Sequence, residues 1–146
     1  MATYAKRISI IFGLVAVIGF VLFYKLGAVP LADPDEPRYA EAAREMIERG
    51  SYMVPYFNYE LRLQKPVLHY LLICASYKLL DVSEFSARLP SVLAALALLG
   101  ITFFFMQRFC GMTAAALSCL IMGSSPLYFV PARMTMPDMV FSCFII

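Results

Sequence analysis

Charge is spaced along this chain in blocks, and the uncharged stretches between them set the expected elements. Behind Lys6-Arg7, residues Ile8 to Tyr24 form an uncharged run of 17, extendable through Lys25 to about Pro30. A cleaved signal peptide has an apolar region of only about 7–15 residues and a small-residue cleavage site. Here the run is longer and the A-x-A pattern is poor. The pattern predicts a retained signal-anchor over 8–29 with its N-terminus in the cytoplasm, since positive flanks stay inside. Apolar runs return at Pro66 to Leu80, Leu89 to Gln107, Met112 to Val130 and Met139 to Ile146. A span needs about 20 residues, so 89–107 and 112–130 read as spans. The last run stops after about 12 Å of helix, so 139–146 reads as a truncated fourth span and the chain as an N-terminal piece of a longer protein.

Residues 31–65 are polar enough for an external loop. A helix is expected to start near Pro37, because proline suits the first turn and pushes the preceding Glu36 out of the α region. Tyr39, Ala42, Ala43, Met46 and Ile47 recur at helical spacing, with Arg38, Glu41, Glu45, Glu48 and Arg49 on the remaining surface and Gly50 as terminator. This amphipathic helix is expected along the membrane interface, followed by an interfacial aromatic cluster of Tyr52, Tyr56, Phe57 and Tyr59.

The run 66–80 decides the topology. If it crosses, the two following spans deliver Asp138 to the face opposite Asp35. If it stays external, both acids face one compartment. Fifteen residues make only about 22 Å of helix, and Lys78 lies near the end, so the run reads as interfacial. Lys65, Lys78, Arg88 and Arg133 are then all external, which the positive-inside rule tolerates in a long loop of 30–88.

Composition agrees with this all-α integral membrane fold. Hydrophobic residues make up 62% and charged residues 15%, against roughly 25% charged in soluble domains. A net charge of +2 offers nucleic acid no basic patch. Cys74, Cys110, Cys119 and Cys143 form no C-x-x-C pair and read as small buried residues. His69, the sole histidine, makes a self-contained zinc site improbable.

The candidate chemistry lies in Leu31-Ala-Asp-Pro-Asp-Glu-Pro-Arg-Tyr-Ala-Glu41, where Asp35 and Glu36 sit just past a membrane run. Acids there are costly and usually functional, although spacing alone also suits a helix cap. With Arg38, Lys65 and the returning Asp138, the set can hold a phosphate through cations while a carboxylate handles a proton.

The stretch Pro30 to Met46, then Gly50-Ser-Tyr-Met-Val-Pro-Tyr-Phe-Asn58, Lys65-Pro66 and Ser83-Glu-Phe-Ser-Ala-Arg-Leu-Pro90 resemble one family. It is the bacterial branch of the dolichyl-phosphate-mannose protein mannosyltransferase superfamily, which includes the lipid A aminoarabinose transferases. The resemblance implies a GT-C fold in the bacterial inner membrane, with an extracytoplasmic catalytic loop and a polyprenyl-phosphate sugar as donor. It implies Asp35 as the essential loop carboxylate, with Glu36 beside it, and Asp138 as a second acid. Arg38 and Lys65 are implied near the lipid-linked phosphate, with Tyr39 lining the cavity.

Inverting transfer is expected, to a hydroxyl or phosphate of a lipid, protein or glycan acceptor, with membrane lipids around the enzyme. No cofactor is required by this chemistry. The family often has an acid before the lysine, where this chain has Gln64, which weakens the case for a divalent metal. Arg62, where an aromatic is common, is a further candidate phosphate contact or a determinant of donor choice, and Lys-Pro-Pro is here Lys65-Pro66-Val67. The rival readings are a non-catalytic membrane piece that binds lipid phosphate without transfer, and a signal-anchored structural protein.

Overall fold

The computed structural model describes residues 13, 16–32, 34–58, 60–62 and 65–145. Lys6-Arg7 and most of the expected signal-anchor before residue 16 lie outside the described residues, as do Tyr59 of the aromatic cluster, Gln64 and Ile146. The first helix, α1, is helical over 16–23. It is followed by α2 (Asp35–Arg49), the paired strands β1 (Tyr56–Phe57) and β2 (Glu60–Leu61), α3 (Val67–Leu80), α4 (Glu84–Cys110), α5 (Met112–Ser124), α6 (Pro126–Ala132) and α7 (Asp138–Ile145).

Helix α2 begins two residues before the expected Pro37, so Glu36 is helical although it precedes a proline. The pre-proline position disfavours that conformation, and the anchoring of the Glu36 side chain, described below, opposes the cost. Asp35 and Glu36 occupy the first turn, where the helix dipole favours negative charge. At the other end Gly50 adopts φ 66°. Its N–H bonds to the Ile47 carbonyl and that of Ser51 to Met46, both at 3.1 Å, closing the helix in a Schellman motif.

The expected apolar face holds. Tyr39, Ala42, Ala43 and Met46 are buried against Tyr70, Ile73, Cys74 and Tyr77 of α3. Glu45, expected on the polar surface, is buried as well. The aromatic stretch after α2 includes a two-stranded antiparallel ribbon, with Tyr56 opposite Leu61 and Phe57 opposite Glu60. The turn between them uses Asn58 at φ 51°, a left-handed conformation that asparagine tolerates. Cations stand over rings of this stretch, Arg49 at 4.2 Å from Tyr56 and Lys78 at 4.4 Å from Tyr52.

Ser83 caps α4 in a reciprocal box. The Ser86 N–H donates to Ser83 Oγ at 3.2 Å, and the Ser83 N–H donates to Ser86 Oγ at 3.0 Å. At 27 residues, α4 is long and apolar enough to cross a membrane. Its outward Leu93, Phe104, Phe105 and Phe109 are exposed, a face suited to lipid.

The run 112–130, expected as one span, is instead broken. Helices α5 and α6 meet at 66°. Pro126 has no N–H to continue the ladder, and Ser125 before it is extended at φ −70°, ψ 129°. The broken pair folds back along α4, where Cys119, Tyr128 and Ala132 share a core with Leu22, Leu26, Val92, Ala95 and Leu98. Cys74 and Cys119 are buried as expected, whereas Cys110 is exposed at the end of α4.

The link after α1 passes close over the start of α4. A Cβ on Gly27 would lie 2.9 Å from Phe85 Cβ and 3.1 Å from its backbone nitrogen. Gly27→Ala therefore crowds a helix backbone rather than a flexible tip. It is expected to cost about 1–3 kcal/mol, read as a lowered Tm of the full-length protein in detergent. An unchanged Tm would contradict this close packing.

Candidate functional site

Between the two apolar clusters lies a buried ion pair. Arg88 of α4 is 5% exposed and Glu36 of α2 is fully buried. Arg88 Nε donates to Glu36 Oε1 at 3.0 Å and Nη2 to Oε2 at 2.8 Å. The remaining guanidinium protons reach the carbonyls of Leu26, Val29 and Pro30 at 2.7–3.0 Å. The carboxylate also accepts the N–H of Ala32 at 2.7 Å and that of Thr135 at 2.6 Å. Burial pushes the Glu36 carboxyl up, but these hydrogen bonds and the Arg88 charge outweigh it and hold it below its ordinary value.

The Thr135 bond joins residues 99 positions apart in sequence. Asp35 and Asp138 therefore lie at the same end of the helices, on either side of this contact. Both side chains are exposed. Ser91 Oγ of α4 donates to the Met136 carbonyl at 3.1 Å, fixing the turn that leads into α7, whose first residue is Asp138.

Tyr39 is the residue the candidates share. It is 4% exposed, and burial raises its pKa. The nearby Tyr70, Asp35 and Asp138 push the same way, while Arg62 opposes them. The guanidinium of Arg62 stands 5.5 Å from the Tyr39 ring and 5.3 Å from that of Phe57. The structure thus gathers Asp35, Asp138 and Arg62 about Tyr39. Arg38 faces solvent and pairs loosely with Asp35 at 3.9 Å. Lys65, also exposed, precedes Pro66 at the head of α3 and makes no ion pair among the described residues. Among those residues, no three His, Cys, Asp or Glu side chains come together as a metal site.

Glu36 departs from its expected role beside Asp35. Both its oxygens are engaged by partners that only donate, so it is not free to exchange a proton with a ligand. Three residues were not singled out from sequence. Arg88 reads from sequence as an external charge, and Thr135 carries no signal. His69, alone of its type, reads as no self-contained metal site; it packs edge-on against Tyr39 with ring centroids 5.4 Å apart. Arg133, another supposed external charge, donates to the carbonyls of Val21 and Tyr24 at 3.0 and 2.7 Å, capping the end of α1.

Residues 64–146 match the family model for dolichyl-phosphate-mannose-protein mannosyltransferase. The chain belongs to this family. A protein of Aquifex aeolicus (strain VF5) is 32% identical over 124 residues, 84% of this chain and 25% of its own length. The undecaprenyl phosphate-alpha-4-amino-4-deoxy-L-arabinose arabinosyl transferase of Shewanella sediminis (strain HAW-EB3) is 37% identical over 92 residues, 62% of this chain and 17% of its own. The crystal structure of ArnT from Cupriavidus metallidurans bound to undecaprenyl phosphate superposes with a TM-score of 0.84 at 29% identity, over 94% of this chain and 25% of that one. The apo state gives 0.80 at 28% identity. The chain thus spans about a quarter or less of the length of these mannosyltransferase-family relatives.

The ion pair generates a stability prediction for the family fold. Arg88→Ala leaves a buried carboxylate and three carbonyls without their donor, at a cost of about 3–5 kcal/mol. Loss of folded full-length protein by size-exclusion and thermal melting is expected, with Arg88→Lys recovering only part. The lowered Glu36 pKa adds a pH sign. Its contribution is complete above the unfolded carboxyl value of 4.5 and is lost as pH falls through the lower folded value. Glu36→Gln should therefore flatten the acid limb of the melting profile. A wild-type acid limb in Glu36→Gln would contradict the assignment.

Proposed function

We propose that the full-length protein transfers a sugar from a polyprenyl-phosphate donor to an acceptor, at the extracytoplasmic face of a bacterial inner membrane. One observation carries the reading. A member of this family superposes on a solved transferase holding undecaprenyl phosphate, and its candidate carboxylates and cations gather at one end of the helices.

In this mechanism Asp35 accepts the proton of the acceptor hydroxyl as that oxygen attacks the anomeric carbon. The bond from that carbon to the phosphate oxygen breaks, the configuration inverts, and polyprenyl phosphate leaves with the electron pair. Arg38, Lys65 and Arg62 stabilise the growing negative charge on the phosphate. Tyr39 lines the cavity, and Asp138 supplies a second acid across from Asp35. Glu36 takes the role of holding the loop, because its oxygens are already committed to Arg88, Ala32 and Thr135. The polyprenyl phosphate is itself a good leaving group, so the scheme needs no separate general acid. The N-terminus lies in the cytoplasm, α3 rests at the outer interface, and the rest of the chain supplies the acceptor side.

The test is a transfer assay with full-length protein against a panel of undecaprenyl-phosphate sugars. Asp35→Asn is expected to lower turnover by roughly 10²–10⁴-fold while donor binding persists. Lys65→Ala is expected to raise the donor KM by about tenfold or more, the loss of one charge-assisted contact. Full turnover in Asp35→Asn would remove the base assignment. Lipid-phosphate binding by the wild type without any transfer would favour a non-catalytic binder. Single cysteines at Pro34 and Met136, in a background lacking the native cysteines, are expected to label from the extracytoplasmic side together. Labelling of either from the cytoplasm would reject the topology.

A further inference from the structure

Around Tyr39 lies a set of buried polar groups of which three residues, His69, Tyr70 and Thr135, have no part in the proposed chemistry. His69, Tyr70 and Thr135 are 2%, 0% and 0% exposed. Both imidazole nitrogens, the Tyr70 hydroxyl, the Thr135 hydroxyl and Arg62 Nε are buried without a hydrogen-bond partner among the described residues. The Thr135 backbone lies beside the imidazole and Arg62 lies beside the Tyr70 hydroxyl, but neither approach meets hydrogen-bond geometry. The groups are contiguous. Ring centroids of Tyr39 stand 5.4 Å from His69 and 5.7 Å from Tyr70, and those of His69 and Tyr70 are 6.5 Å apart.

Buried polar atoms are nearly always partnered, and each orphan costs free energy until something completes it. Here the orphans sit beside Tyr39, whose hydroxyl feels both Asp35 and Asp138. Apart from Arg62 they are neutral groups. Burial pushes the His69 imidazole down to about 4, and burial raises the Tyr70 phenol, so both are uncharged across the physiological range. Neutral donors and acceptors suit hydroxyl groups, whereas the exposed cations suit a phosphate.

We propose that His69, Tyr70 and Thr135 form the hydrogen-bonding wall that receives the glycosyl group of the donor, and so help select the sugar. This rests on the transfer reading above, with the cations taking the phosphate and this wall taking the sugar. A site built to hydrogen-bond a substrate hydroxyl discriminates strongly, because a wrong ligand leaves its buried groups unpaired.

The experiment separates the two halves of the donor. Binding to full-length protein is measured, without acceptor, for undecaprenyl phosphate and for undecaprenyl phosphate carrying 4-amino-4-deoxy-L-arabinose, mannose or glucose. His69→Phe keeps an aromatic edge against Tyr39 but removes both nitrogens. Thr135→Val and Tyr70→Phe each remove one hydroxyl at nearly constant shape. Each is expected to weaken the glycosylated donor preferred by the wild type by about tenfold, leaving undecaprenyl phosphate within twofold. His69→Gln should recover part of the loss. Equal weakening of both ligands, or no weakening of either, would overturn the proposal. Should His69→Phe fail to fold, the two hydroxyl deletions decide it by the same comparison. A wild type that binds none of these lipids would instead overturn the transfer reading itself.

Discussion

The Glu36–Arg88 pair is the constraint on which the arrangement of this chain depends. A buried charge is tolerated only when its hydrogen-bonding capacity is filled, and here the filling is complete on the cation. The guanidinium makes five bonds, two to the carboxylate and three to the carbonyls of residues 26, 29 and 30. Those three carbonyls belong to the irregular link between α1 and α2, which has no ladder of its own to satisfy them. One arginine on the first turns of α4 therefore sets where α1 ends, where α2 begins, and how both meet the bundle. The carboxylate extends the same network to the turn before α7 through Thr135.

Each arm of that network ends beside an exposed acid. Asp35 precedes Glu36 and faces outward, and Asp138 follows Thr135 by three residues at the first turn of α7. The acid that is locked and the acids that are exposed are thus neighbours in the chain, and the rigidity of one gives the others their position. A fixed backbone beneath an exposed carboxylate holds it in place without occupying its oxygens. The same logic places the cations. Arg62 is steadied by the Tyr39 and Phe57 rings, whereas Arg38 and Lys65 stay in solvent.

Much of this was legible in the sequence, and what was not has physical reasons. The face of α2, its Gly50 terminator and the long α4 follow from periodicity and composition, which are local properties. The gathering of Asp35 and Asp138 at one end hung on the brevity of 66–80, and the Glu36–Thr135 bond now joins the two regions. Burial of a charge, by contrast, cannot be read from its neighbours. Arg88 and Arg133 look like surface cations until their carbonyl partners are in place, and Glu36 looks like a twin of Asp35. Helical start at Asp35 rather than Pro37 has the same origin, a long-range anchor overriding a local preference. Pro126 did carry a readable signal, but the length of the apolar run around it outweighed the proline. His69, alone among its type, has no sequence pattern to reveal its packing against Tyr39.

The bend at Ser125 has a geometric effect on depth. A straight helix would climb about 10 Å over the seven residues of α6, whereas a tilt of 66° leaves only about 4 Å of that rise. The returning leg thus falls short of the top of α4 and is pinned at Ser91, seven residues below Glu84. The turn that leads into α7 is thereby held beside the second turn of α4 rather than at its tip.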